Sequence, residues 1–353
     1  MMKAGFILNP IAGMGGRVAI KGTDGLEDEA RKRGAEPVSP MRAEEFLIHL
    51  KVERPFYTCG GDMGGNVFKK VGRKAEIIYF PPEKTSARDT KEAAKIMKEM
   101  VDIIIFAGGD GTAADILDVV GSDIPILGVP AGVKMYSSVF ALTPRDAAEI
   151  VDSLEKLEME EREVMDIDEE AFRKGELNIK LKGYALSPSH EKIQGGKEIY
   201  GNGGKDEIAE WFLENMDAEK TYIIGGGSTT WKIKKAIGIE GTFLGVDVVR
   251  GRNLICRDAT ERDILDNMGE NACIVISPLG GQGFLFGRGN QQISHDVIRR
   301  AGKENIIVVG TKEKMAKLGS LKVDTGDEEV DEMLRGYINV IMGYNEKKVM
   351  RVE

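Results

Sequence analysis

A chain of 353 residues, 42% hydrophobic and 30% charged, is too long for one ordinary core and too apolar for disorder, so two globular domains are expected. Its formal net charge of -9 excludes a nucleic-acid partner held mainly through its phosphates, although a local basic cleft can still take an anionic nucleotide. Cys59, Cys256 and Cys273 are far apart and form no CxxC pair, which excludes a disulfide framework and a zinc ribbon and implies reduced thiols. No apolar run reaches the length of a membrane span, and the first is too short for a secretory signal, so a cytoplasmic protein with no membrane partner is expected.

Short apolar runs at residues 5–8, 56–59, 77–80, 103–107 and 126–129 read as strands buried on both faces. Helical patterns separate them. The clearest is 86–100, where Ala93, Ile96, Met97 and Met100 share a face behind a Ser86–Asp89 capping-box spacing. The alternation predicts an α/β chain with an N-terminal doubly wound parallel sheet. Thr143 and Pro144 form a helix start, and the domain division is placed there: 1–143, then a second α+β domain, 144–353, that helps form the cleft. Residues 155–163 read as a charged face or linker. Short strands follow at 165–167, 178–181 and 184–186, then a Gly-rich loop at 191–205. A strand at 221–224 leads through glycines into a helix ending at Ile237. Runs 242–249 and 254–257 suggest a hairpin, and Thr260 caps a helix reaching about Gly269. Strands at 272–276, 306–309, 337–341 and 348–352 complete the chain, the last expected to pack back on the first domain.

The run 103–107 delivers Gly108, Gly109, Asp110, Gly111 and Thr112. Glycines let a phosphate approach the backbone, and a helix starting after a capping Thr112 offers amides and a positive dipole end. An acid would repel a phosphate. Asp110 is therefore expected to take a proton from a hydroxyl or to hold a magnesium ion, and with an ordinary pKa it is ionised at neutral pH. The turn at Gly109 is read as needing both open space and positive φ. Loops at the ends of other strands are candidate cleft walls: Asn9 and Gly13 after the first, Gly60 and Gly61 after the second. Gly132, Lys134 and Tyr136 follow the fifth, with Lys134 and Arg288 as candidate counter-charges. Gly226, Ser228, Thr229 and Thr230 form a further strand–glycine–hydroxyl–helix cradle. The Gly13-x-Gly15 pair lacks the third glycine of a dinucleotide fingerprint, no Walker loop is present, and His49, His190 and His295 lack metal-ligand spacing.

The GGDGT loop behind a buried strand resembles the signature shared by NAD kinases, diacylglycerol-type lipid kinases and phosphofructokinases. With the Asn9-Pro10 opening, residues 225–230 and the run 280–294, the chain resembles the ATP–NAD kinase family, in its AcoX-like branch, over nearly its whole length. The resemblance implies a two-domain kinase that uses ATP (or polyphosphate) and Mg²⁺ or another divalent cation. Asp110 would activate the attacking hydroxyl, which in that family belongs to the ribose of NAD. Two departures leave the acceptor open. The family's Asn-Glu pair is not found near Tyr184-Ala185-Leu186-Ser187, and Gly132-Val133-Lys134-Met135-Tyr136-Ser137 replaces its Gly-x-Leu-Gly-Phe-Leu. A kinase for a sugar, polyol or other hydroxylated metabolite, and a non-catalytic nucleotide sensor, stand as alternatives. The partners expected are these small molecules, with no nucleic acid, and a homo-oligomer is compatible with them.

Overall fold

The computed structural model describes residues 2–20, 27–132, 135–167, 179–194 and 203–353. The chain divides into two compact units, Met1–Met14 with Gly22–Gly196, and Gly15–Lys21 with Lys197–Glu353.

In the first unit, β1 (Ala4–Leu8), β2 (Phe56–Cys59), β3 (Glu76–Tyr79), β4 (Ile103–Gly108) and β5 (Ile126–Pro130) form one sheet in the order β3-β2-β1-β4-β5. Every pairing is parallel, as the strand–helix alternation predicts. The helices are α1 (Glu27–Lys32), α2 (Ser39–His49), α3 (Gly65–Lys70), α4 (Ala87–Lys98), α5 (Asp110–Val120) and α6 (Pro144–Asp152). Alternate residues of β4 feed opposite cores. Ile103, Ile105 and Ala107 pack with side chains of α2, α3 and α6, whereas Ile104 and Phe106 pack with those of α4 and α5. A strand covered on both faces has no position for a polar residue, hence its unbroken apolar run. The capping box at Ser86 is present, and Thr143 caps α6 by accepting the Asp146 N–H at 3.1 Å.

The first unit runs past residue 143, where the sequence signals put the division, to Gly196. The expected charged linker at 155–163 contains the start of β6 (Met159–Ile167), which pairs antiparallel with β7 (Ile179–Pro188). Glu161 and Glu163 are exposed while Val164 is buried with Ala185 in the core beside α5. The alternation is that of a half-buried strand, and the abundance of charge masks it. Most of the expected loop at 191–205 lies outside the described residues.

The second unit contains α7 (Lys205–Asn215), β8 (Thr221–Ile224), α8 (Ser228–Ile237), β9 (Asp247–Arg250), β10 (Asn253–Cys256), α9 (Glu261–Asn267), β11 (Ala272–Ile276), β12 (Phe284–Phe286), α10 (His295–Ala301), β13 (Ile306–Val309), α11 (Lys312–Lys317), β14 (Lys322–Val323), α12 (Glu328–Leu334), β15 (Gly336–Gly343) and β16 (Glu346–Val352). Its main sheet has the order β10-β9-β8-β11-β13-β15-β16. The centre, β8-β11-β13-β15, is parallel, and antiparallel strands flank it. The β9–β10 hairpin forms as expected, but residues 242–246 precede it as irregular chain rather than strand. The final strand pairs with β15 inside this unit. The run from β15 through a turn at Asn345, whose φ is positive, is a hairpin, the shortest route to a partner.

Candidate functional site

The strand order reverses between β1 and β4. Loops leaving their carboxyl ends diverge to opposite faces, which opens a crevice where ligands of such sheets collect. Asn9 leaves β1 there. Its N–H donates to the Ala107 carbonyl at 3.0 Å, and its side-chain amide donates to Thr112 Oγ1 at 3.0 Å. Its Oδ1 accepts the Ile11 N–H at 3.2 Å, and its carbonyl accepts the Ser39 hydroxyl at 2.6 Å. Asn9 thus ties the β1 loop to the loop after β4.

Thr112 does not cap the helix. Helix α5 starts at Asp110 with Gly109 as its N-cap, so Thr112 sits in the first turn. Gly108 makes room for it, since an added Cβ would lie 2.5 Å from Thr112 Oγ1. Gly109 has extended backbone at φ -119°, not the positive φ expected. A Cβ there would touch only the Gly132 Cα, at 3.4 Å. Gly111 is exposed, with nothing within 4 Å of an added Cβ. The first turn of α5 has no side-chain cap, and it opens beside two glycines whose backbones an anion can reach. Gly109→Val is accordingly expected to weaken nucleotide affinity about tenfold or more while moving the thermal midpoint little. A collapsed midpoint with normal binding by the folded remainder would assign the residue to packing alone.

Gly13 is a packing glycine. Its φ is +78°, and an added Cβ would lie 2.1 Å from the Ala131 carbonyl oxygen, so the β1 loop rests on the chain leaving β5. Gly13→Ala is expected to cost about 1–3 kcal/mol, measured by chemical denaturation; an unchanged midpoint would show that the loop adjusts freely.

Asp110 is 4% exposed. Its Oδ2 accepts the Tyr136 N–H at 2.8 Å; its Oδ1 accepts the Ser137 N–H at 2.8 Å and the Ser137 hydroxyl at 2.5 Å. Burial pushes its pKa up to about 6 against the opposing pull of those bonds, with Asp166 adding to the rise. The ordinary pKa expected from sequence is therefore corrected, because the carboxylate is desolvated rather than lying in an open turn. Tyr136 is 3% exposed, and its buried phenol is pushed well above the usual range; what it presents to Asp110 is its backbone N–H. Lys134 lies outside the described residues.

Gly60 and Gly61 leave β2, one strand from the switch point. Gly60 donates its N–H to the Tyr79 carbonyl at 2.8 Å, and Gly61 turns with φ +58° beside an exposed Asp62. In the second unit, the 225–230 loop opens α8 with Gly227 as N-cap. Ser228 is exposed, whereas Thr229 and Thr230 are buried and the Thr230 hydroxyl donates back to the Gly227 carbonyl at 3.0 Å. Arg288 is 4% exposed, stacked on Phe284 with Asp324 3.8 Å away, so it is committed inside that unit. Sequence reading brings out the β1 and β4 loops but misses Ser137, which grips Asp110 from 27 residues away. No local pattern marks such a contact.

Among the described residues, no group of three or more His, Cys, Asp or Glu could hold a metal ion. The Asp110 carboxylate already takes three donors. The residues fit an anion better than a bare cation, and a divalent ion would come with the phosphates that hold most of its shell.

Two family models match the chain. The ATP-NAD kinase N-terminal domain covers residues 5–159 and the ATP-NAD kinase C-terminal domain covers residues 217–352. The chain belongs to the ATP-NAD kinase family. Membership by itself leaves the acceptor open. Among curated proteins there is no match. Among solved structures, it is similar to a diacylglycerol kinase from Bacillus anthracis str. Sterne, at 16% identity and TM-score 0.25 over 48% of each chain. Two further structures provisionally described as diacylglycerol kinases from that organism match at 16% identity. One has TM-score 0.24 over 47% of this chain and 46% of that one; the other has 0.25 over 48% and 44%. The chain thus spans about half the length of the structures it matches. No helix among its described residues is long and apolar enough to cross a membrane.

Proposed function

We propose that this kinase transfers the terminal phosphoryl group of ATP to the 2′-hydroxyl of the adenosine ribose of NAD, giving NADP. The observation that carries the transfer is the buried Asp110 carboxylate at the β1/β4 switch point, beside the uncapped start of α5. NAD as acceptor is supported by the family of both matched segments. The phosphates of ATP lie along the backbone of Gly108, Gly109, Gly111 and Thr112, with Asn9 and Gly13 shaping the near wall and Gly60 and Gly61 the far one. A divalent cation bound with ATP neutralises phosphate charge. Asp110 is 3-coordinated by donors and keeps one lone-pair direction of Oδ2 for the acceptor hydroxyl. It takes that proton as the oxygen attacks phosphorus in line, and ADP leaves. A base with a pKa near 6 is ionised at neutral pH and a stronger proton acceptor than an ordinary carboxylate.

Gly132, Lys134 and Tyr136 of the first unit are proposed as acceptor-binding residues, and so, taken by itself, is the 225–230 loop of the second. Ser228 offers a hydroxyl; Gly226 and the buried Thr229 and Thr230 offer backbone only. We place the reaction in the cytoplasm, with no nucleic acid or membrane involved. The test is product formation from ATP or polyphosphate with NAD, sugars and polyols, NADP being read with an NADP-specific dehydrogenase. Phosphorylation of a sugar or polyol but not NAD would move the assignment to that metabolite. Binding of ATP with no product from any acceptor would make the chain a nucleotide sensor.

A further inference from the structure

Ser137 stands where the first unit joins three of its parts. Its hydroxyl donates to Asp110 Oδ1 at 2.5 Å and accepts the Met165 N–H of β6 at 2.9 Å. Its own N–H donates to the same Oδ1 at 2.8 Å, and its carbonyl accepts from the Gln194 side-chain amide. The residue is 0% exposed. The β6–β7 pairing slips beside this contact: Val164 faces Gly183, but Met165 faces Leu181, which leaves Lys182 of β7 as the extra residue. Such a bulge disrupts the ladder locally and bends the chain beside it. The next contact fixes the frame, since the Ser138 N–H donates to the Glu163 carbonyl at 2.8 Å.

This geometry removes the freedom of the hydroxyl rotor. A serine oxygen that accepts from Met165 has its proton directed elsewhere, and the acceptor at 2.5 Å is Asp110. Oδ1 is thereby loaded with two donors, while Oδ2 has the Tyr136 N–H alone.

We propose that Ser137, polarised by the Met165 amide opposite the bulge, is a positioning residue that locks Asp110 with Oδ1 occupied and Oδ2 turned out as the proton-accepting oxygen. This rests on the assignment of Asp110 as the base. Among the described residues, the other titratable groups acting on the carboxylate are Asp166 of β6, which opposes its ionisation, and the Tyr136 phenol, itself pushed up by burial first and by the Asp110 charge second. Loss of the Ser137 hydroxyl removes a donor that favours the charged form, and burial leaves no bulk water to replace it.

The test is titration of the Asp110 carboxyl by ¹³C NMR in the full chain, beside the pH dependence of kcat/KM. Ser137→Ala should move the Asp110 midpoint upward by about one unit, the size expected for one charge-assisted bond. The acidic limb of kcat/KM should follow it, with KM for ATP unchanged. Ser137→Thr, which keeps the hydroxyl, should titrate as the wild type. If the alanine variant does not fold, Ser137→Cys, nearly the same shape and a weak donor, should give a smaller upward shift. An Asp110 midpoint unmoved in the alanine or, failing that, the cysteine variant overturns the proposal. A chain that phosphorylates no acceptor overturns the kinase reading instead, and the NMR midpoint still decides the role of Ser137.

Discussion

Asp110→Asn is expected to lower turnover by about 10²–10⁴-fold, the usual cost of losing a general base. It is also expected to lower stability. The wild-type carboxylate accepts three bonds through two oxygens. An asparagine has one carbonyl oxygen, so its NH₂ must face either the Tyr136 N–H or the two donors of Ser137. A donor left against a donor in a buried place costs about 1–3 kcal/mol. The pH dependence separates the two roles. The folded-state pKa near 6 lies above the ordinary aspartate value of 3.8, so the folded chain holds this proton more tightly than the unfolded one. The contribution of Asp110 to stability therefore falls as pH rises from about 4 to about 6 and is flat above. Subtracting the Asp110→Asn curve from the wild-type curve should expose that downward slope, while wild-type kcat/KM climbs over the upper part of the same range. Near-normal turnover in a folded variant would end the assignment of Asp110 as base.

What sequence could reveal here followed from how local each signal was. Strands β1, β2, β4 and β5 read correctly because burial on both faces leaves continuous apolar runs. The caps at Ser86, Thr143 and Thr260 read correctly because a cap is a contact three residues long. Strand β6 was hidden, since Glu160, Glu161, Arg162 and Glu163 look like a linker until alternate burial is seen. The same distinction runs through the site. The GGDGT loop is legible as a motif, but the environment of its acid is not. Asp110 is desolvated by the packing of 135–137 and β6 over it, and gripped by Ser137, neither of which leaves a mark near position 110. Likewise the three glycines look equivalent in the motif, whereas Gly108 is required by Thr112 and Gly111 meets nothing.

Lys234→Met is expected to destabilise the chain by about 3–5 kcal/mol, because it strands a buried partner charge. Lys234 and Asp247 have 0% side-chain exposure and lie 2.7 Å apart. The ammonium also donates to the carbonyls of Thr242 at 2.9 Å and Gly245 at 3.0 Å. Asp247 accepts the N–H groups of Thr242 at 2.7 Å and Asp258 at 2.9 Å. The pair therefore satisfies the backbone of the irregular segment 242–246, which no sheet or helix supports. Lys234→Met with Asp247→Leu should recover only part of the loss, since removing both charges still leaves those carbonyls and amides without partners, at about 1–3 kcal/mol for each left unpaired. The segment matters to the proposed acceptor loop. The Phe243 carbonyl accepts the Gly227 N–H at 2.8 Å, and a Cβ on Gly226 would lie 2.4 Å from the Leu244 oxygen. Residues 225–230 are set against this surface. Folded Lys234→Met should accordingly show a raised KM for the acceptor before any change in KM for ATP. Denaturation curves and paired KM values decide it: wild-type stability in Lys234→Met would show that the segment holds itself, and a KM shift confined to ATP would remove the 225–230 loop from the acceptor site.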